Sequence, residues 1–72
     1  MKYGVKQKTL RTIRGMTQAE LATMAGTTQE RVSDFEVGRR NPGAEEKERI
    51  MQALGWTEDV ETQLLGLGGR HE

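Results

Sequence analysis

The chain has no cysteine, one proline and few aromatic residues, 4% of a total of 72. Without cysteine there are no disulfide staples and no thiolate zinc site, and a reducing interior such as the bacterial cytoplasm becomes a compatible address. No stretch holds more than two consecutive hydrophobic residues, which leaves no room for a membrane span or the apolar region of a signal peptide. The expectation is a soluble, unexported protein. With 33% hydrophobic residues, so short a chain builds one domain around a small core and cannot hold a large enzyme cleft. The only histidine is His71, near the C-terminus, and the only serine is Ser33. No nucleophile has a general base at a plausible spacing, so no enzyme is expected. No cofactor, metal or small-molecule ligand is evident either: Glu45, Glu46 and Glu48 lack the aspartate-rich loop or histidine that would make a metal site.

The formal net charge is zero, which by itself argues against a polyanionic partner. The sum conceals a gradient, since residues 1–40 carry a net +4 and residues 41–72 a net −4. Solvated helix surfaces of differing composition would account for such a split, and so would two halves that face different surroundings.

Apolar residues recur at spacings of three and four, the pattern of short amphipathic helices, and no strand is predicted. A first helix is expected over about residues 5–14, with Leu10 and Ile13 three apart, Val5 and Thr9 continuing the Ile13 face, and Gly15 as its end. Thr17 and Glu20 have the spacing of a capping box, followed by a stripe of Leu21, Ala22 and Ala25. Gly26 ends this second helix, and Thr27 or Thr28 opens a third, with Glu30 placed to complete a box from Thr27. Val32 and Phe35 make the narrow buried stripe of the third helix, while Gln29, Glu30, Ser33 and Asp34 point the other way. Gly38 closes it and Arg39, Arg40, Asn41 and Pro42 form a basic turn. Glu45 and Glu46 suit the positive end of a fourth helix, whose inner face carries Lys47, Ile50 and Leu54. Thr57 caps a fifth, with Val60 and Leu64 four apart; Gly66, Gly68 and Gly69 suggest a flexible tail over residues 66–72 behind a domain of residues 1–65.

Two helices joined by about three residues must cross steeply, and Ala22, Ala25 and Gly26 are small enough to let the backbones meet. Together with Thr17-Gln18-Ala19-Glu20-Leu21-Ala22, Gly26-Thr27-Thr28-Gln29, Val32-Ser33, Glu36, Gly38-Arg39-Arg40-Asn41-Pro42 and Ala53-Leu54-Gly55, they make a pattern that resembles the helix-turn-helix domain of phage repressors and Cro proteins (XRE type). The similarity spans about residues 5–65 without insertion. It implies an all-α, compact five-helix, lambda-repressor-like DNA-binding domain in which the second helix crosses the DNA backbone and the third enters the major groove.

Residue by residue, the resemblance makes Gln29 the first base reader, with Glu30, Ser33 and Asp34 at the other groove-facing positions. A glutamine satisfies both its polar groups on the N6/N7 edge of adenine. The two acids depart from the commonest pattern: either one accepts from cytosine N4 and the repulsion penalises other sequences, or they turn toward Arg31 or solvent. Gln18 would anchor a phosphate and brace Gln29; Thr17, Thr28, Arg39, Arg40 and Asn41 would grip the DNA backbone. Lys6, Lys8 and Arg14 extend that grip or, in the plainer reading, lie on solvated faces. Arg11 and Glu36 would form a structural ion pair. Trp56, Val60, Leu64, Leu65 and Leu67 complete the monomer core or face a second copy, in which case a homodimer joined through the C-terminal region would match a palindromic operator. The implied function is a sequence-specific, double-stranded-DNA-binding regulator of transcription, acting as a repressor in the cytoplasm of a bacterial or phage-infected cell. A protein-interaction module of the same fold, antitoxin-like or an adaptor, is the alternative.

Overall fold

The computed structural model describes the backbone of residues 1–68 and the side chains of residues 1–66. Five helices follow one another: α1 (Tyr3–Ile13), α2 (Gln18–Ala25), α3 (Gln29–Val37), α4 (Ala44–Leu54) and α5 (Glu58–Gly68). There is no strand among the described residues. Helix α5 runs on through residues 66–68, where a tail was expected. Residues 69–72, including His71, lie outside the described residues, as does the side chain of Leu67.

Leu10, Leu21, Ala22, Ala25, Val32, Phe35, Ile50, Leu54, Trp56 and Leu64 form one buried cluster. Each large aliphatic or aromatic member contributes roughly 1.5–3 kcal/mol by leaving water. Phe35 brings α3 into this core, and Trp56 closes it beneath α1, its ring stacked on Tyr3 with centroids 5.4 Å apart. Trp56 also donates its indole N–H to Glu61 at 2.8 Å, so its one polar atom is satisfied at the edge of the core.

Helix α1 departs from the expectation in its start and in its inner face. It begins at Tyr3, before Gly4, and buries Gly4, Gln7 and Leu10, while Val5 and Ile13 are exposed. A glycine inside a helix costs conformational entropy, which is why the sequence alone favours a later start. Here the missing side chain permits contact: a Cβ on Gly4 would lie 2.3 Å from the Phe35 carbonyl oxygen and 2.7 Å from that of Glu36. The first turn of α1 therefore rests on the last turn of α3. Lys47, expected on the inner face of α4, is exposed, with its ammonium 5.4 Å from the Tyr3 ring centroid.

Gly4→Ala should drive α1 off α3. Overpacking of this kind costs about 1–3 kcal/mol, which for a domain of this size lowers the melting temperature by roughly 4–8 °C per kcal/mol. Thermal melts followed by circular dichroism check this; an unchanged melting temperature would show that the close contact is not maintained in solution.

Candidate nucleic-acid interface

Helix α2 starts as its sequence requires. The Thr17 hydroxyl accepts the Glu20 N–H at 3.0 Å and the Glu20 carboxylate accepts the Thr17 N–H at 2.8 Å, completing the capping box. The helix ends at Gly26, whose φ of +69° is cheap only without a Cβ, and the Thr27 N–H returns to the Ala22 carbonyl at 2.9 Å. Three residues then lead into α3. Its cap is Thr28, whose hydroxyl accepts the Arg31 N–H at 3.2 Å. The box between Thr27 and Glu30 does not form, because the helix is capped one residue later, and the Thr27 hydroxyl donates to Glu46 at 2.7 Å. In both caps the threonine oxygen accepts the backbone bond and keeps its own O–H to donate outward.

The inward side of α3 is held at each end. Near its N-terminus, Arg31 donates Nε and Nη2 to the two Glu46 oxygens at 2.9 and 2.7 Å, and its guanidinium lies 5.4 Å from the Phe35 ring centroid. Arg31 is thus turned toward α4 and not toward the acids beside it. Glu46, expected on the helix start, is half-buried and joins α4 to α3. Near the C-terminus, the buried Glu36 carboxylate accepts Arg11 Nε at 2.8 Å, Arg11 Nη2 at 3.1 Å, Gln7 Nε2 at 3.1 Å and Gln18 Nε2 at 3.1 Å. Arg11 Nη1 also donates to the Met16 carbonyl at 2.7 Å. Gln18 therefore faces Glu36, and no hydrogen bond to Gln29 occurs among the described residues.

Gln7 and Glu46 are the residues that sequence reasoning missed. Gln7 had a usable signal, since it precedes Arg11 by one helical turn on the Leu10 side. Glu46 had none beyond its place at a helix start.

On the opposite side of α3, Gln29 and Glu30 are exposed and Ser33 is half-buried. Asp34 is a correction. Its side chain is only 7% exposed, because Arg39 Nη1 covers one carboxylate oxygen at 2.8 Å and Arg40 Nε the other at 3.3 Å. In the free protein its carboxylate is engaged by these two arginines and, unlike Gln29 and Glu30, is not open to solvent. Arg39, Arg40 and Asn41 are exposed directly after α3.

Two of the three outlying bases are engaged elsewhere. Lys6 is paired with Glu61 on α5, and Arg14 donates Nε to the Leu54 carbonyl at 2.9 Å, capping the end of α4. Lys8 is exposed. Among the C-terminal apolar residues, Trp56 and Leu64 are buried in the core of their own chain and Val60 packs against it, leaving Leu65 47% exposed.

The architecture is thus two short capped helices at a three-residue turn, with the second helix open on one face and followed by paired arginines. A family model described as helix-turn-helix matches residues 7–60. The chain belongs to that family, in its Cro/C1-repressor (XRE) type. This helix-turn-helix protein is accordingly a DNA-binding regulator, of a family that is generally non-enzymatic. No curated protein matches it significantly. No helix among the described residues is long and apolar enough to cross a membrane.

The ion pair at the end of α3 gives the first test. Removing one partner of a buried pair strands the other charge, at about 3–5 kcal/mol, comparable to what a core this small supplies in total, roughly 3–5 kcal/mol. Glu36→Ala should therefore unfold or severely weaken the domain, and an unchanged melting temperature would mean that the pair is dispensable.

Acid gives the second. Hydrogen bonding from Arg31, reinforced by Thr27, holds the Glu46 carboxyl down at about 2. Burial opposes ionisation of Glu36, yet bonds from Arg11, Gln18 and Gln7 outweigh it and lower its pKa; Lys6, then Trp56, lower that of Glu61. Groups held below their unfolded value of 4.5 stabilise the fold fully above that pH, and the benefit is lost as pH falls toward 2. Urea melts followed by Trp56 fluorescence should show stability declining across this window, with a shallower decline in Glu46→Gln. A flat profile would contradict the assigned pairs.

Proposed function

We propose that this protein is a sequence-specific transcriptional regulator, a repressor that occupies its operator as a homodimer, and that α3 is its major-groove helix. One observation carries the reading. Helix α3 is fastened to α1, α2 and α4 through Glu36 and Arg31, while Gln29, Glu30 and Ser33 have no side-chain partner among the described residues and stand beside the exposed Arg39 and Arg40. Polar side chains on a firmly held helix, flanked by cations, are what base readout with phosphate anchoring requires.

In this reading Gln29 takes the N6/N7 edge of adenine, and Glu30 accepts from cytosine N4 or excludes other bases. Thr17, Thr28, Arg39, Arg40 and Asn41 contact the backbone from the helix caps and the following turn. Gln18 steadies the site by bonding Glu36. Dimerisation uses the outer side of α5 around Leu65, and two recognition helices about 34 Å apart then match a palindrome. Repression follows if the bound dimer covers the site polymerase needs, in the cytoplasm of a bacterial or phage-infected cell.

Titration of mixed-sequence and selected duplexes over a salt series tests the proposal. Affinity should fall steeply with salt as counterions compete. Gln29→Ala should cost about 1–3 kcal/mol on the selected site and little on mixed sequence. Equal loss on every sequence would remove Gln29 from base reading. Absence of binding even at low salt would favour a protein-interaction module.

A further inference from the structure

Asp34 lies on the polar side of α3, one turn after Glu30, at a position that would face DNA. An acid there should be repelled by phosphates. We propose that Asp34 is a positioning residue for DNA-backbone binding, holding Arg39 and Arg40 in the arrangement that meets the phosphates and touching no base itself. The inference rests on the DNA-binding reading above and assigns a different role to one residue of that site.

The two arginines are attached to Asp34 at both ends. In the backbone, the Asp34 carbonyl accepts the Arg39 N–H at 2.9 Å and the Arg40 N–H at 3.4 Å. In the side chains, each carboxylate oxygen takes one guanidinium, Arg39 at 2.8 Å and Arg40 at 3.3 Å. The exposures are unequal: the acid is 7% exposed, against 72% for Arg39 and 50% for Arg40. The arginines hide the acid, and the acid does not hide the arginines. Each guanidinium has five N–H donors, and Asp34 engages one nitrogen of each, so donors remain for phosphate oxygens.

Neighbouring arginines repel each other, and ordering two long side chains at the moment of binding is costly. Asp34 relieves the repulsion and does the ordering in advance. The trio keeps a net charge of +1, with its positive members outermost. Simple attraction to DNA predicts the opposite effect of Asp34, since deleting an acid beside a polyanion should tighten binding and steepen its salt dependence. The two accounts therefore differ in sign.

The test measures binding of the full chain to a mixed-sequence duplex over a salt series. It compares the wild type, Asp34→Asn, Arg39→Ala with Arg40→Ala, and the triple variant, each checked by thermal melting. We expect Asp34→Asn to weaken binding roughly 3- to 10-fold, as when one or two long side chains must be ordered on contact. The salt slope should fall by about 0.9 for each phosphate that is no longer neutralised, and Asp34→Asn should have no effect once both arginines are gone. Equal or tighter binding by Asp34→Asn, or equal weakening in the arginine-free background, would overturn the proposal while leaving DNA binding intact. If the wild type binds no duplex at low salt, the DNA-binding reading falls and this inference with it. Side-chain ¹⁵N relaxation on the free wild type needs no variant: both guanidinium groups should be ordered before DNA is added, and free rotation would refute the positioning role even if Asp34→Asn failed to fold.

Discussion

The structure depends on one buried carboxylate. Glu36 accepts hydrogen bonds from Gln7 and Arg11 of α1 and from Gln18 of α2, and Arg11 carries the connection on to the Met16 carbonyl in the turn between those helices. A carboxylate taken out of water is costly unless its lone pairs are filled. Filling them here requires α1, α2 and α3 to meet in one arrangement, so the expense of burial becomes a constraint on orientation. The neighbouring residue, Phe35, ties the same turn of α3 to the apolar core, and Gly4 lies against the carbonyls of both. With Arg31 and Thr27 bonded to Glu46 at the other end, α3 has little freedom on its inner side. Only its outer row remains for a partner.

Much of this scaffold was legible in the sequence because local chemistry and global fold agree. The Thr17–Glu20 box, the left-handed Gly26 and the stripe of Leu21, Ala22 and Ala25 are fixed by interactions within a few residues, and such signals survive folding unchanged. The first helix was harder to read. Its inner face holds a glycine, a glutamine and part of an arginine, residues whose burial makes sense only once Glu36 and the carbonyls of α3 are in place. Hydrophobic periodicity therefore pointed to Val5 and Ile13, which are exposed. The same limit applies at the site. Gln29 and Glu30 could be placed by their distance from the turn, whereas the burial of Asp34 depends on where the Arg39 and Arg40 side chains fold back, a matter of tertiary geometry. Resemblance to a family supplied the position of Asp34 but not its partners.

Part of the charge gradient is taken up within the fold, while Glu45, Glu48, Glu58 and Asp59 lie on solvated helix surfaces. Lys6 pairs with Glu61 and Arg31 with Glu46, so part of the positive excess of residues 1–40 is neutralised by acids of residues 41–72 across the interior seams of the fold. Those acids do not simply form a face turned away from DNA. They join the halves of the chain and engage basic residues that would otherwise widen the cationic surface.

What is left positive beside α3 is small and local, and in the proposed reading it is this local charge, not the net charge of zero, that meets DNA. At physiological ionic strength exposed charges are screened beyond about 8 Å, while the molecule measures 36 × 23 × 23 Å. In the proposed docking, phosphates beside α3 would therefore respond chiefly to the Asp34–Arg39–Arg40 trio and the helix caps, and little to carboxylates on distant helices. Net charge governs long-range steering, which is weak here, whereas contact depends on how few side chains are held and where. In the proposed reading, phosphate contacts hold the protein on any duplex, and discrimination between sequences falls to the Gln29 row and to the steadiness with which Glu36 holds α3.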